Sequence, residues 1–363
     1  MERVVLKKFY NLYLLLRQQA LLLTLLIFVL LQSCKSPTAP KSNNSSDTTS
    51  HNWVFTIDTL GEGNGSTLHD VAIVSISPFL VYAVGEIYLK DSTGQFDQQP
   101  YNLAKWDGNE WKLQKLIAGN FPPVIKSVFV VNDHNVWFDP WFHWDGQNFH
   151  EIPSDPIFYG IGIDKMWGNS NGLYVVGTGG FIAFMNTSGT WQKLSSGTST
   201  DIQDIWGYQN TSGQTTILCV SSSVFYGGEE SLFSISGNNV NQLNTNGLSW
   251  SERGLWFDDK GYYIVGDGMY YKKTLQDTVW QSFQKGLTTY YIEAIRGNAP
   301  NDIVAVGDYG AFLHYNGSSW FDFTQQLNLP NCVLNSVSIK DNLVVAVGTL
   351  GGDRGIIVVG KRQ

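Results

Sequence analysis

Asp302-Ile303-Val304-Ala305-Val306-Gly307-Asp308-Tyr309-Gly310, followed at once by Phe312-Leu313-His314-Tyr315-Asn316-Gly317-Ser318-Ser319-Trp320, decides the fold. It reads as an apolar strand ending in Val-Gly, a turn, a short aromatic strand, Asn-Gly and a Trp that opens another strand. Asn-Gly supplies the positive backbone angles of a tight hairpin. Outward from it the same sentence recurs, with Val-Gly corners at Gly85, Gly177, Gly266, Gly307 and Gly348. The last two intervals are 41 residues each, and the first two, 92 and 89, are about twice that. A degenerate copy fills each long gap: Lys126–Phe138 in the first, Asp201–Val220 in the second. Seven units of this length, each of four short strands rich in Val, Ile and Tyr, have the size of propeller blades.

Each unit opens on a strand, at Asp70, Ser127, Lys165, Asp204, Leu255, Ala294 and Ser336. The seventh stops after Gly355–Gly360, one strand short. Trp53-Val54-Phe55-Thr56-Ile57 supplies the missing outer strand, its Trp matching Trp111, Trp191, Trp280 and Trp320. The expected fold is an all-β, seven-bladed propeller over residues 53–363, closed by the N-terminal strand, which leaves no open ends in the ring.

On these repeats the chain resembles secreted bacterial propellers of the neuraminidase-repeat and photosystem II assembly-factor kinds. The resemblance departs from the full Asp-box, Ser-x-Asp-x-Gly-x-Thr-Trp. The nearest stretch, Asn186-Thr187-Ser188-Gly189-Thr190-Trp191, is one residue short between Gly and Trp. It therefore implies architecture and carries over no activity.

Residues 1–33 read as a leader. Arg3, Lys7, Lys8 and Arg17 precede an apolar run from Ala20 to Leu31. That run is shorter than the roughly 20 residues of a comfortable membrane span and has the length of a secretory signal's apolar centre. Leu31-Gln32-Ser33-Cys34 resembles the lipobox of bacterial lipoproteins, which implies cleavage before Cys34 and lipidation of its thiol. Residues 34–52 are almost wholly polar and read as a flexible tether. The expectation is a monomer in the bacterial cell envelope, extracytoplasmic and anchored by lipid to the outer membrane.

Removing the leader takes four basic groups and one acidic group from 23 and 31, leaving 19 and 30, net −11. That balance argues against nucleic acid, whose binding rests on Lys and Arg. Cys219 and Cys332, in distant repeats, are expected as free thiols. No cofactor motif is present: Gly61-Glu62-Gly63-Asn64-Gly65 precedes no helix, and the six histidines are scattered.

One aligned position starts the innermost strand of every unit: His69, Lys126, Asp164, Gln203, Arg253, Glu293 and Asn335. It is polar throughout and different in each copy, as a ligand-facing rim would be. A second ring follows the corners: Glu86, Asp139, Thr178, Asp267, Asp308 and Thr349. Trp141, Phe142, Tyr290 and Tyr291 fall outside the packing register and are candidates for contact with a ligand, whereas the repeated tryptophans read as core. The expected function is binding of a protein or glycan through the loop-bearing face. The alternative is a carbohydrate-active enzyme using Asp164, Glu293, Asp267 and Asp308 at the channel mouth. A sialidase-like arginine clamp is poorly supplied, since only Arg253, Arg296, Arg354 and Arg362 follow the leader.

Overall fold

The computed structural model describes residues 48–223 and 229–363; the leader, Cys34 and the tether through residue 47 lie outside the described residues. The described chain forms seven four-stranded antiparallel sheets. In sequence order the first six are β2–β5 (Thr67–Ile76, Phe79–Ile87, Tyr101–Trp106, Trp111–Gln114), β6–β9 (Val128–Asn132, Asn135–Phe138, Phe142–Trp144, Phe149–Glu151), β10–β13 (Ile163–Asn169, Gly172–Gly177, Phe181–Asn186, Trp191–Leu194), β14–β17 (Ile202–Gln209, Thr215–Ser222, Glu230–Ser236, Asn239–Leu243), β18–β21 (Glu252–Phe257, Tyr262–Gly266, Gly268–Lys272, Gln281–Ser282) and β22–β25 (Ile292–Ala299, Asp302–Gly307, Phe312–Tyr315, Trp320–Asp322). The seventh blade combines β26 (Cys332–Lys340), β27 (Leu343–Leu350) and β28 (Arg354–Arg362) with the N-terminal β1 (Trp53–Leu60). The closure expected from sequence is therefore observed, with Trp53 opposite Arg362 and Leu60 opposite Gly355.

Both faces of each inner sheet are buried, because each blade has a neighbour on either side. Alternation along a strand sends successive side chains to opposite faces. In β23, Ile303 and Ala305 pack toward blade five, while Val304 and Val306 pack toward blade seven. Hence the unbroken apolar run rather than an alternating one. The repeated tryptophans lie at the outer strands, as expected: Trp111 stacks on Trp106 of the adjoining strand at 6.0 Å, and Trp191 meets Phe158 edge-on at 4.9 Å. Cys219 and Cys332 are buried free thiols, as expected.

The tether ends earlier than composition suggested. Thr49 and His51 already hydrogen-bond to blade six, through Asn301, Asn316 and His314. Their contacts are polar, so they leave no apolar signature in the sequence.

Candidate functional site

Six of the seven innermost strands begin with a β-bulge, and the extra residue is the aligned polar one. Pairing skips His69 between Leu68 and Asp70, and likewise skips Asp164, Gln203, Arg253, Glu293 and Asn335. A bulge leaves one residue out of the ladder and re-aims its side chain. It also explains the Val-Gly corner, where the partner strand passes under a carbonyl. A Cβ on Gly307 would lie 2.1 Å from the Tyr291 oxygen, and one on Gly348 would lie 1.9 Å from that of Val333. Blade four has Ser221 in this slot, its hydroxyl donating to the Thr200 carbonyl at 3.1 Å.

Blade two departs from the pattern. Its strand starts later, and the Asp139 carboxylate accepts the N–H groups of Lys126 (3.1 Å) and Ser127 (2.8 Å). Asp139, expected on the ligand face, is thus buried and committed to backbone. Burial pushes its carboxyl up to about 7, against the pull of those two donors.

His69, Asp164, Gln203, Arg253, Glu293 and Asn335 converge on one pocket of about 110 Å³ at the channel mouth. Arg253 bridges it, donating from Nη1 to Gln203 Oε1 at 2.6 Å, with Nε 3.6 Å from Glu293 Oε2. Burial raises the Glu293 carboxyl although Arg253 pulls the other way. Burial lifts Asp164 to about 6, opposed by Lys126 and Arg253. Asn335 donates to the Leu68 carbonyl at 2.9 Å, fixing the rim between blades seven and one. His69 Nε2 and Arg253 Nε are buried atoms without a hydrogen-bond partner, although each faces a carboxylate at longer range.

The second ring is less uniform. Glu86 lies 3.9 Å from His69 and accepts from the Tyr88 hydroxyl at 3.1 Å. His69 and the Tyr88 hydroxyl hold its carboxyl below the usual range, against burial. Asp267 is exposed and takes the Ser249 hydroxyl at 2.7 Å. Asp308 is half-buried, and burial raises its carboxyl. Thr178 accepts the Gly162 N–H (2.9 Å), and Thr349 meets Thr67 across the seam at 2.8 Å.

The floor of the mouth is a pair of buried ion pairs that no sequence motif announces. Lys165 Nζ lies 2.6 Å from Asp70 Oδ1, and Arg296 grips Asp204 through both Nη atoms at 2.8 Å. The same carboxylates tie neighbouring blades, Asp70 accepting from Val128 N (3.0 Å) and Asp204 from Leu255 N (2.9 Å). Burial opposes ionisation of Asp70, yet Lys165, Ser336 and Val128 hold its carboxyl below the usual range. A second cavity of about 170 Å³, bounded by Ile73, Val130, Trp206 and Ile339, shares Lys165 and Arg296 with the first. The trace the ion pairs leave in the sequence is Asp70 and Asp204 as acidic residues at the head of apolar strands, and Arg296 as a cation in a slot that Trp167, Trp206 and Trp256 fill in other blades; neither shows which partner each meets.

The aromatic candidates divide. Phe142 is buried, Trp141 packs on Phe158 at 5.4 Å, and the Tyr291 hydroxyl donates to the Ser251 carbonyl at 3.0 Å. Tyr290 lies against Tyr309, ring centres 5.0 Å apart. The large apolar side chains left exposed on the loop-bearing face are Ile117, Phe121, Val124, Tyr159 and Tyr309, of which Phe121 is 63% and Tyr159 70% accessible. Among the described residues no three His, Cys, Asp or Glu side chains converge as metal ligands.

No protein-family model matches the chain, and no curated protein matches it. Solved structures do. A structure of YCF48 bound to D1 peptide is 16% identical, with a TM-score of 0.62 over 88% of this chain and 100% of that one. The WD40 β-propeller domain of Doa1 is 13% identical, with a TM-score of 0.58 over 85% and 97%. A streptogramin B lyase is 11% identical, with a TM-score of 0.57 over 84% and 97%. At these identities the likeness is one of fold: the chain is a seven-bladed β-propeller.

Proposed function

We propose that this chain is a binding module that holds a protein segment across its loop-bearing face, anchored at the channel mouth. One observation carries the reading. The residue released from the ladder at the start of six innermost strands differs from blade to blade, and all six meet in one pocket. Packing alone would favour like residues at like positions. The exposed Phe121 and Tyr159 on the same face suit a macromolecular partner, since aromatic anchors dominate such interfaces. The YCF48 structure, in which a propeller of this fold holds a peptide, supports the same reading.

A glycosidase reading has one point in its favour, the two carboxyls Asp164 and Glu293 raised in one pocket. Its weakness is size. About 110 Å³ is well under the roughly 300 Å³ at which small-molecule sites begin. Glycan binding at this mouth meets the same obstacle.

We also propose that residues 1–33 are a lipoprotein leader, that Cys34 is lipidated and that the propeller is displayed from the bacterial envelope on the tether. Cys34→Ser should then shift the protein from the membrane to the soluble fraction; unchanged retention would count against the anchor. The binding reading is tested by selecting peptides on the soluble propeller and measuring them against Phe121→Ala and Arg253→Ala. Losses of tenfold or more support it, and binding by both variants as tight as that of the unsubstituted propeller opposes it.

A further inference from the structure

A short strap fastens the chain to blade six just ahead of the closing strand. Thr49 donates its N–H to the Asn316 carbonyl at 3.0 Å and its hydroxyl to that of Asn301 at 2.7 Å. His51 then meets His314, Nδ1 to Nδ1, at 2.8 Å, with the rings crossed at 86°. Its Nε2 lies 3.3 Å from Ser319 Oγ. His314 is wholly buried, its Nε2 2.9 Å from Asp302 Oδ1. Asp302 also takes both Nη groups of Arg362, whose guanidinium covers the Trp53 ring at 4.2 Å.

Proton accounting makes this contact conditional. Burial opposes ionisation of Asp302, yet His314 and Arg362 hold its carboxyl below the usual range. As an ionised acceptor it accepts a hydrogen bond from His314, whose Nε2 therefore keeps its hydrogen. The two facing Nδ1 atoms then share one proton, so the docked pair holds at most three ring protons, whereas two separated imidazoles hold four. The groups facing His51 are His314, the fixed charge of Arg362, Asp302 behind His314, the Ser319 hydroxyl and the Phe321 ring. Burial, His314 and Arg362 all disfavour charge on His51.

We infer that residues 48–51 form a pH-sensitive strap, docked on blade six while His51 is neutral and shed when acid protonates it, the ring itself staying closed through β1 and the Asn52 carbonyl that accepts the Gln363 N–H. Docking lowers the affinity of His51 for a proton, so the strap is fully held above the free imidazole value and loosens as pH falls through about 6.5. At pH 5.5 a free imidazole is protonated about tenfold over its neutral form, which bounds the weakening at about tenfold.

Amide hydrogen exchange of the full chain at pH 7.5 and 5.5, corrected for intrinsic rates, tests this. Protection at the Thr49 and Trp53 amides, which donate to Asn316 and His51, should fall several-fold, up to about tenfold, while amides from Val54 onward in the β1–β28 pair keep theirs. His51→Gln, which does not titrate, should abolish that fall. An imidazole titration by NMR guards against a variant that simply fails to dock: His51 should show a midpoint below about 6.5. Equal wild-type protection at both pH values, the same fall in His51→Gln, or a midpoint at or above the free value would each overturn the inference.

Discussion

Glu252 is the residue whose replacement should reveal most about how this ring is balanced. It occupies the slot just before the bulge, filled in the other bulged blades by Leu68, Ile163, Ile202, Ile292 and Leu334, and it is completely buried. One carboxyl oxygen accepts the Ser249 N–H at 3.1 Å, and the other has no partner. Burial, reinforced by Asp267 and Glu230, pushes the group from 4.5 up to about 8. The sign follows from linkage: the folded state keeps its proton to higher pH than the unfolded chain, so stability falls as pH rises from about 4.5 to 8. A shift of that size is worth roughly 5 kcal/mol at most, at 1.36 kcal/mol per unit, of which about 4 kcal/mol is lost by pH 8. For a domain of this length that is about 6 °C in Tm. Glu252→Gln removes the titration and retains an acceptor for Ser249. Scanning calorimetry at pH 5, 6.5 and 8 should find the two proteins melting nearly together at pH 5. The variant should pull ahead by about 6 °C at pH 8. A gap that does not change with pH, or a wild type that melts higher at pH 8, would refute the reasoning.

Other perturbations address the ring directly. Trp53→Ala removes a buried indole from the closing strand together with its contact to Arg362, and should cost about 3–5 kcal/mol by denaturant titration. Gly307→Ala forces a Cβ against the Tyr291 carbonyl and should cost well over the roughly 1 kcal/mol expected for Gly213→Ala, whose positive φ is its only obstacle. Asp204→Asn strands a buried guanidinium and should cost about 3–5 kcal/mol, much of it recovered when Arg296→Met is added. A double-mutant cycle in urea measures that recovery, and additive losses would show that the pair is not coupled.

How far the sequence carried this account can be seen from particular residues. Blade number and closure were legible because Val-Gly and the outer-strand Trp are steric necessities: a carbonyl sits where a Cβ would be, and an indole fills the gap between blades. The mouth was legible because a bulge residue answers to no ladder partner, so its polarity stands out in alignment. What stayed hidden depends on side chains meeting across blades. Asp139 looked like its ring-mates, but a missing bulge turned its carboxylate onto Lys126 and Ser127. Lys165 with Asp70 and Arg296 with Asp204 are 95 and 92 residues apart in sequence, so nothing local announces them. Thr49 and His51 read as tether because polar contacts leave composition unchanged.

The mouth as the binding surface is tested most directly by photo-crosslinking from two positions in the native host. A benzophenone side chain at Asn335, on the mouth, should capture a discrete protein partner, whereas one at Asp58, on the exposed outer strand, should not. Capture from Asp58 alone, or equally from both, would contradict the account.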